Sequence, residues 1–455
     1  MMSSVLSSVF FFIIALGVLI TVHEFGHFWV ARKAGVKVIR FSVGFGKPLF
    51  SWRRSNDETE YVIAALPLGG YVQMLDEREG NVDPAELDRT FNRKSLGKRT
   101  AIVAAGPIFN FVLAIAIYWL ILMMGVSGVK PIVGDVNEGS IAAAGGFQRG
   151  DVITHVGDTE TVTWGTAGIA LLDHSLDAEA LKVRVLEDGV ISKTRELDFA
   201  TPGLKLERNN LLESIGINIM RPKIPALIGE VTPGGAADSA GILSGDLLLT
   251  VDGELIEEWE GWVHTIRKNP EVTMLVELER AGRVMEVDLR PARLETKAGE
   301  IGRIGATVDY PKELFEEFNV VERYSFFAAL QAALVKTWDM SLLTLRMLGN
   351  MVIGNVSVEN LSGPISIAQY AGSSAGIGFV AFAGFLAMIS ISLGVLNLLP
   401  IPMLDGGHLF YYLIEWIKGS EVSEEFQMMG QRVGIALLAL VMIVAFYNDI
   451  DRLVG

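Results

Sequence analysis

The stretch TVHEFGHFWVARKAG, residues 21–35, follows twenty residues that carry no charged side chain. Two histidines and a glutamate therefore stand where an apolar segment long enough to enter a bilayer is ending. Ionisable groups are costly in hydrocarbon, so their presence there asks for a function. His23 and His27 are spaced i and i+4, which places both imidazoles on one face of a helix. Neutral imidazole is a good zinc ligand, and H-E-x-x-H on a helix pairs two ligands with Glu24 as general base.

Three further segments resemble the first in being uncharged over a useful length. They are residues 100–129, residues 360–404 with their most apolar part at 377–399, and residues 433–448. A membrane-spanning helix needs roughly 20 apolar residues. The first segment lacks a basic n-region and a small-residue cleavage site, so it reads as a span, not a removed signal peptide. Arg32, Lys33, Lys37 and Arg40 follow the first span, and Arg93, Lys94, Lys98 and Arg99 precede the second. Basic residues concentrate in cytoplasmic loops, so this loop is expected inside, with both termini and the block from 130 to about 375 outside. HEFGH then lies toward the cytoplasmic end of its span.

The 455 residues carry 38 basic and 53 acidic side chains, a net charge of −15, which argues against nucleic acid as partner. There is no cysteine, so neither a disulfide nor a thiolate metal site is available.

The outer block contains a repeat. VGDVNEGSIAAAGGFQRGDVITHVGD (133–158) aligns without a gap on IGEVTPGGAADSAGILSGDLLLTVDG (228–253), 95 residues later. Gly134, Gly146, Gly150 and Asp151 match Gly229, Gly241, Gly245 and Asp246. Each copy reads as strand, small-residue helix, Gly-Asp turn and strand. The pattern resembles PDZ domains of the kind found in bacterial proteases, with extra residues near 163–178 in the first copy. Such domains bind peptides by adding a strand to a sheet edge, which implies binding or size-filtering of substrate.

A catalytic zinc usually takes three protein ligands and leaves one position open. His155, His174 and His264 fall in the outer block, on the wrong side of the membrane. NLLPIPMLDGGHLF, 397–410, ends the third span: Pro400 and Pro402 break the helix, and Gly406 and Gly407 allow close backbone approach. Topology brings Asp405 to the depth of His23 and His27, with His408 close by. Residues 36–75 alternate in the manner of strands, with glycine breaks, and suit a sheet edge for an unwound substrate. The stretch 324–354 is interrupted by Lys336, Asp339 and Arg346 and reads as an amphipathic helix on the outer membrane face.

HExxH in a first span, N-x-x-P-x-x-x-x-D-G in a later one and PDZ-like repeats between them resemble the bacterial site-two protease family of intramembrane zinc metalloproteases. GFG (44–46), LPLGGYVQM (66–74), GPIFN (106–110) and NLSGPISIAQ (360–369) extend the likeness over nearly the whole chain. The resemblance implies Zn2+ held by His23, His27 and Asp405, Glu24 as catalytic base, and substrate contacts from Asn397 and from Gly44, Phe45 and Gly46. It also implies cleavage of single-pass membrane proteins in the bacterial inner membrane: a trimmed anti-sigma factor in a sigma-E type envelope stress response, and remnant signal peptides.

The expected fold is a polytopic α-helical membrane protein with four transmembrane helices, a membrane-associated β-hairpin region and two tandem α+β PDZ domains on the outer side. Its expected parts are a first transmembrane helix (1–30), a re-entrant β region (31–97), a second helix (98–126) and PDZ domains at 127–220 and 221–312. An amphipathic region (313–375), a third helix (376–412), a cytoplasmic loop (413–430) and a fourth helix (431–449) complete it. Two other readings stay open: a membrane-anchored zinc protease acting on soluble or misfolded proteins, and a non-catalytic PDZ scaffold.

Overall fold

Leucine, isoleucine and phenylalanine without an interrupting proline carry helix α1 (Met2–Lys33), and Arg32 and Lys33 in its last turn complement the helix dipole. In the computed structural model, residues 2–55, 57–177, 179–187, 189–201, 211–296, 299–311, 313–354 and 356–454 are described. They fall into two units, Met1–Val126 with Val321–Gly455, and Ser127–Val320.

The first unit contains α1, α2 (Leu96–Met124), α3 (Phe326–Val352), α4 (Pro364–Ile377), α5 (Phe379–Leu398), α6 (Asp405–Lys418) and α7 (Glu424–Val454). Among the described residues four helices are long and apolar enough to cross a membrane: Val5–Lys33, Leu96–Met124, Phe379–Leu398 and Glu424–Leu453. Ala114, Tyr118, Ile121 and Leu122 of α2 pack with Ala329 and Ala333 of α3 and with Ala383, Ala387, Ile391 and Val395 of α5. Small residues at these contacts let the backbones approach closely, as expected where lipid removes the hydrophobic drive between helices.

Two expectations, the single helix over 376–412 and the loop over 413–430, need correction. The segment 376–412 is not one helix: α5 stops at Leu398 and α6 begins at Asp405, because Pro400 and Pro402 cannot donate to a helix. Met403, between them and Asp405, sits at φ +89, a strained position for a side chain with a Cβ. In the region 313–375, expected to be amphipathic and helical, the Ala329, Ala333 and Thr337 stripe of α3 is buried against its neighbours and α4 runs along α1. The loop expected at 413–430 is partly helical, since α6 extends to Lys418 and α7 starts at Glu424.

Strands β1 (Val38–Arg53) and β2 (Glu60–Met74) both bend, so that one pair of strands makes four segments joined by three ladders. Phe41 pairs with Val72 on one side and Tyr61 on the other, while Tyr61 also pairs with Trp52. The order across is therefore 70–74, 38–43, 60–64 and 48–53, and 70–74 is an edge. Phe28 and Ala31 of α1, Val38 and Phe41 of β1 and Ile102 of α2 form the core that fixes this sheet to the helices.

In the second unit the repeat is visible as topology. Thr159–Glu160, Val152–Val156, Ala180–Glu187 and Ile191–Asp198 form a sheet in that order. Glu254–Leu255, Leu247–Val251, Met274–Arg280 and Arg283–Leu289 form its counterpart. Helix Trp164–Ser175 has 12 residues against 10 in Trp259–Lys268, but the stretch from helix start to the next strand is only one residue longer in the first copy. The second copy contains a hairpin, Ala292–Thr296 with Gly299–Arg303. A cavity of about 340 Å3 lies between that copy's helix (Trp259, Val263) and the strand residues Ile301–Thr307. The Gly-Asp turns are held alike: Asp151 accepts from the Gln148 amide and pairs with Arg195, and Asp246 accepts from the Leu243 amide and pairs with Arg280. Burial alone would raise the Asp246 pKa, but the Arg280 guanidinium and the Leu243 amide hold it below the ordinary carboxylate value.

Candidate metal centre

The i, i+4 spacing on α1 brings His23 Nε2 and His27 Nε2 to 3.3 Å of each other. The turn after α5 returns Asp405 to the same place, its Oδ2 3.2 Å from His23 Nε2 and 3.5 Å from His27 Nε2. Ligand atoms at the ~2.0–2.1 Å bond lengths of tetrahedral zinc stand about 3.3 Å apart, so these three separations are those of a zinc site. The side chains are only 11–19% exposed, and Asp405 Oδ2 is buried with no hydrogen-bond donor. A buried carboxylate oxygen facing two imidazole nitrogens without a proton donor fits a cation among them. The donor set of two imidazoles and one carboxylate, with no sulfur, suits zinc with an open position.

The outer face of each imidazole is anchored on α2. His27 Nδ1 lies 2.9 Å from the Ile102 carbonyl, to which it donates, leaving Nε2 free as a ligand. The Asn110 amide lies 3.0 Å from His23 Nδ1, its other amide atom buried without a partner. The atom facing the ring is Nδ2; with the amide turned over, which exchanges two atoms of like shape, Oδ1 would accept from Nδ1–H and give His23 the same tautomer as His27. Ser390 of α5 donates to the Asn110 carbonyl at 2.8 Å and holds that turn of α2 in place. A Cβ at Gly106 would overlap the rings of both histidines, so only glycine lets α2 pass this close.

Glu24 lies beside the three ligands, not among them, with the Val72 amide of the edge segment 70–74 facing its carboxylate. Gly70 of the same segment packs against Glu24 Cγ and Ile20. Gly44, Phe45 and Gly46 sit further along the sheet: Val43 pairs with Gly70, and Phe45 pairs with Leu66 and stacks on Tyr71. Asn397 is half-buried in the last turn of α5. His408, on α6 just after Asp405, does not join the ligand cluster.

Sequence reasoning named His23, His27, Glu24 and Asp405, which the structure brings together. It did not assign roles to Gly106 and Asn110, although GPIFN places them four apart on one helix face. Ile102, Gly70 and Val72 act through backbone atoms or the absence of a side chain, and residue type gives no signal for that.

The profile of Peptidase family M50 matches residues 11–441. A Yersinia pestis protein named Protease RseP is 44% identical over 459 aligned residues, covering 99% of this chain and 100% of its own. The Escherichia coli K12 protein named Regulator of sigma-E protease RseP is 45% identical, covering 97% of this chain and 98% of its own. A Vibrio cholerae protein described as a candidate zinc metalloprotease is 40% identical, covering 99% of this chain and 100% of its own. Among solved structures, the PDZ domain of an SdrC-like protein from Listeria monocytogenes matches 20% of this chain and 92% of its own, at 17% identity and a TM-score of 0.16. With a family match across almost its whole length and relatives above 40% identity, the chain belongs to peptidase family M50.

Proposed function

We propose that this chain is an intramembrane zinc endopeptidase that hydrolyses single-pass membrane proteins in or beside their transmembrane segment. The observation that carries this is the convergence of His23, His27 and Asp405 next to Glu24, at the end of an apolar helix. His23, His27 and Asp405 would hold Zn2+. Bound there, zinc supplies Lewis acidity toward a water molecule and toward the scissile carbonyl. Glu24 takes a proton from that water and returns it to the leaving amine, acting as base and then as acid.

A substrate helix must unwind before its backbone is accessible, and unpaired backbone in lipid costs several kcal/mol per group. The segment 70–74 is the sheet edge beside Glu24, and the unwound segment docks along it as an added strand. In this reading Asn397 contacts the substrate backbone, and Gly44, Phe45 and Gly46 shape the strand that supports the edge. Residues 127–220 and 221–312 are two PDZ domains that exclude proteins with bulky outer domains. In this reading the basic loop after α1 is cytoplasmic, with the active site toward it and the PDZ pair and both termini periplasmic. Relatives named as regulators of sigma-E support a trimmed anti-sigma factor as substrate, and signal-peptide remnants share its single-span chemistry.

The test is cleavage of a trimmed single-pass substrate by the purified protein in detergent, beside Glu24→Gln and with a zinc chelator. Activity lost in both controls is the expected result. Activity that survives Glu24→Gln would remove the proposed base.

A further inference from the structure

Two of the three proposed ligands come from one helix, and the third comes from a helix that follows a strained turn more than 370 residues later. Something must hold α6 in register with α1, and α6 rests chiefly on α2. Arg99, in the first turn of α2, is buried and donates through Nη2 to Glu415 Oε1 of α6 at 2.6 Å. The two side chains are 10% and 15% exposed. The Arg99 guanidinium also lies over the Tyr412 ring, 5.1 Å from its centre, and its Nε donates to the Lys94 carbonyl. The exposed Glu421 stands further off, at 3.8 Å.

Helical geometry gives this pair its meaning. Arg99, Gly106 and Asn110 are separated by seven and four residues, which puts them within about 20° of one line along α2. That line carries, in order, the anchor for α6, the gap that admits both imidazoles and the amide that turns His23. On α6, Asp405 and Tyr412 are also seven residues apart and share a face. Arg99 thus stacks on the ring that shares the Asp405 face, about 10 Å along the helix, and bonds Glu415, which lies about 80° further round.

We propose that Arg99, through Glu415 and Tyr412, is a positioning residue: it docks α6 on α2 so that Asp405 Oδ2 meets the two imidazoles. This rests on the reading of Asp405 as a zinc ligand. A single stripe of α2 then references every ligand, which is how a site split between distant segments keeps its dimensions. Arginine suits the task because its planar fork can bond a carboxylate and stack on a ring at once, whereas lysine offers only a point charge.

The test is zinc affinity of the full-length protein, measured by competition with a chelating indicator, for Arg99→Lys, Glu415→Gln, Asp405→Ala and Glu415→Gln with Asp405→Ala. Outer partners of a ligand typically set metal affinity by about 10- to 100-fold. Arg99→Lys and Glu415→Gln should each weaken zinc binding by about tenfold, lower kcat at limiting zinc and leave KM unchanged. In the Asp405→Ala background, Glu415→Gln should cost nothing more, because its effect passes through Asp405. Unchanged zinc affinity in both single variants would overturn the proposal. So would additive losses in the double variant, or loss of the fold together with the metal, since each points to a scaffold role only. If Asp405→Ala itself leaves zinc affinity intact, the ligand assignment fails instead, and the two failures are distinct.

Discussion

Asp405 and Asp449 are carboxylates of the same apolar unit, both held largely away from water, and they are partnered in opposite ways. Asp449, on α7, is 1% exposed and caps the start of α4. It accepts from the amides of Gly363, Ile365 and Ser366 at 3.0, 2.8 and 3.3 Å and from the Ser366 hydroxyl at 2.5 Å. Its charge is met by oriented donors, as at any well-capped helix N-terminus. Asp405 Oδ2 meets two imidazole nitrogens and no donor. The first arrangement is complete within the chain. The second is complete only with a cation, and this difference separates a structural carboxylate from a functional one.

Four changes sharpen or break that contrast. Glu24→Gln should lower kcat on the order of 10^2–10^4-fold, the usual worth of a general base, while zinc stays bound. Retained activity would detach the base from the site. Asp405→Ala should weaken zinc binding by more than the roughly 10- to 100-fold that an outer partner costs, read by dialysis against chelator. Asn110→Ala should fall within that 10- to 100-fold range, because it frees the His23 ring to adopt the wrong tautomer. Normal zinc affinity in this variant would mean that packing alone sets the ring. Asp449→Ala should lower stability by about 1–3 kcal/mol, seen as a reduced melting temperature in detergent, and leave zinc affinity unchanged. Zinc released by Asp449→Ala would erase the distinction drawn here.

Much of this was legible in the sequence, for identifiable reasons. Charge is scarce in spans, so HEFGH stands out against the twenty uncharged residues before it. The Gly-Asp turns recur because each needs a buried aspartate accepting from an amide, and Asp151 and Asp246 both do so. The split between α5 and α6 was half legible: Pro400 and Pro402 announced a break, but hydropathy runs on through it and suggested a single third helix. The α3 segment read as amphipathic because Lys336 and Asp339 interrupt it, and its alanine stripe, which packs on α2 and α5, is a weaker signal than charge. The grip of Arg99 on Glu415 spans 316 residues, and no local period encodes a contact of that kind.

The most direct test of the account is zinc-edge X-ray absorption on the full-length protein loaded with one equivalent of zinc. The account predicts a first shell of nitrogen and oxygen only, at about 2.0–2.1 Å, with the outer-shell scattering of two imidazoles that is lost in His23→Ala with His27→Ala. A spectrum without imidazole scattering, or one unchanged by that double substitution, would place the metal elsewhere and contradict the account.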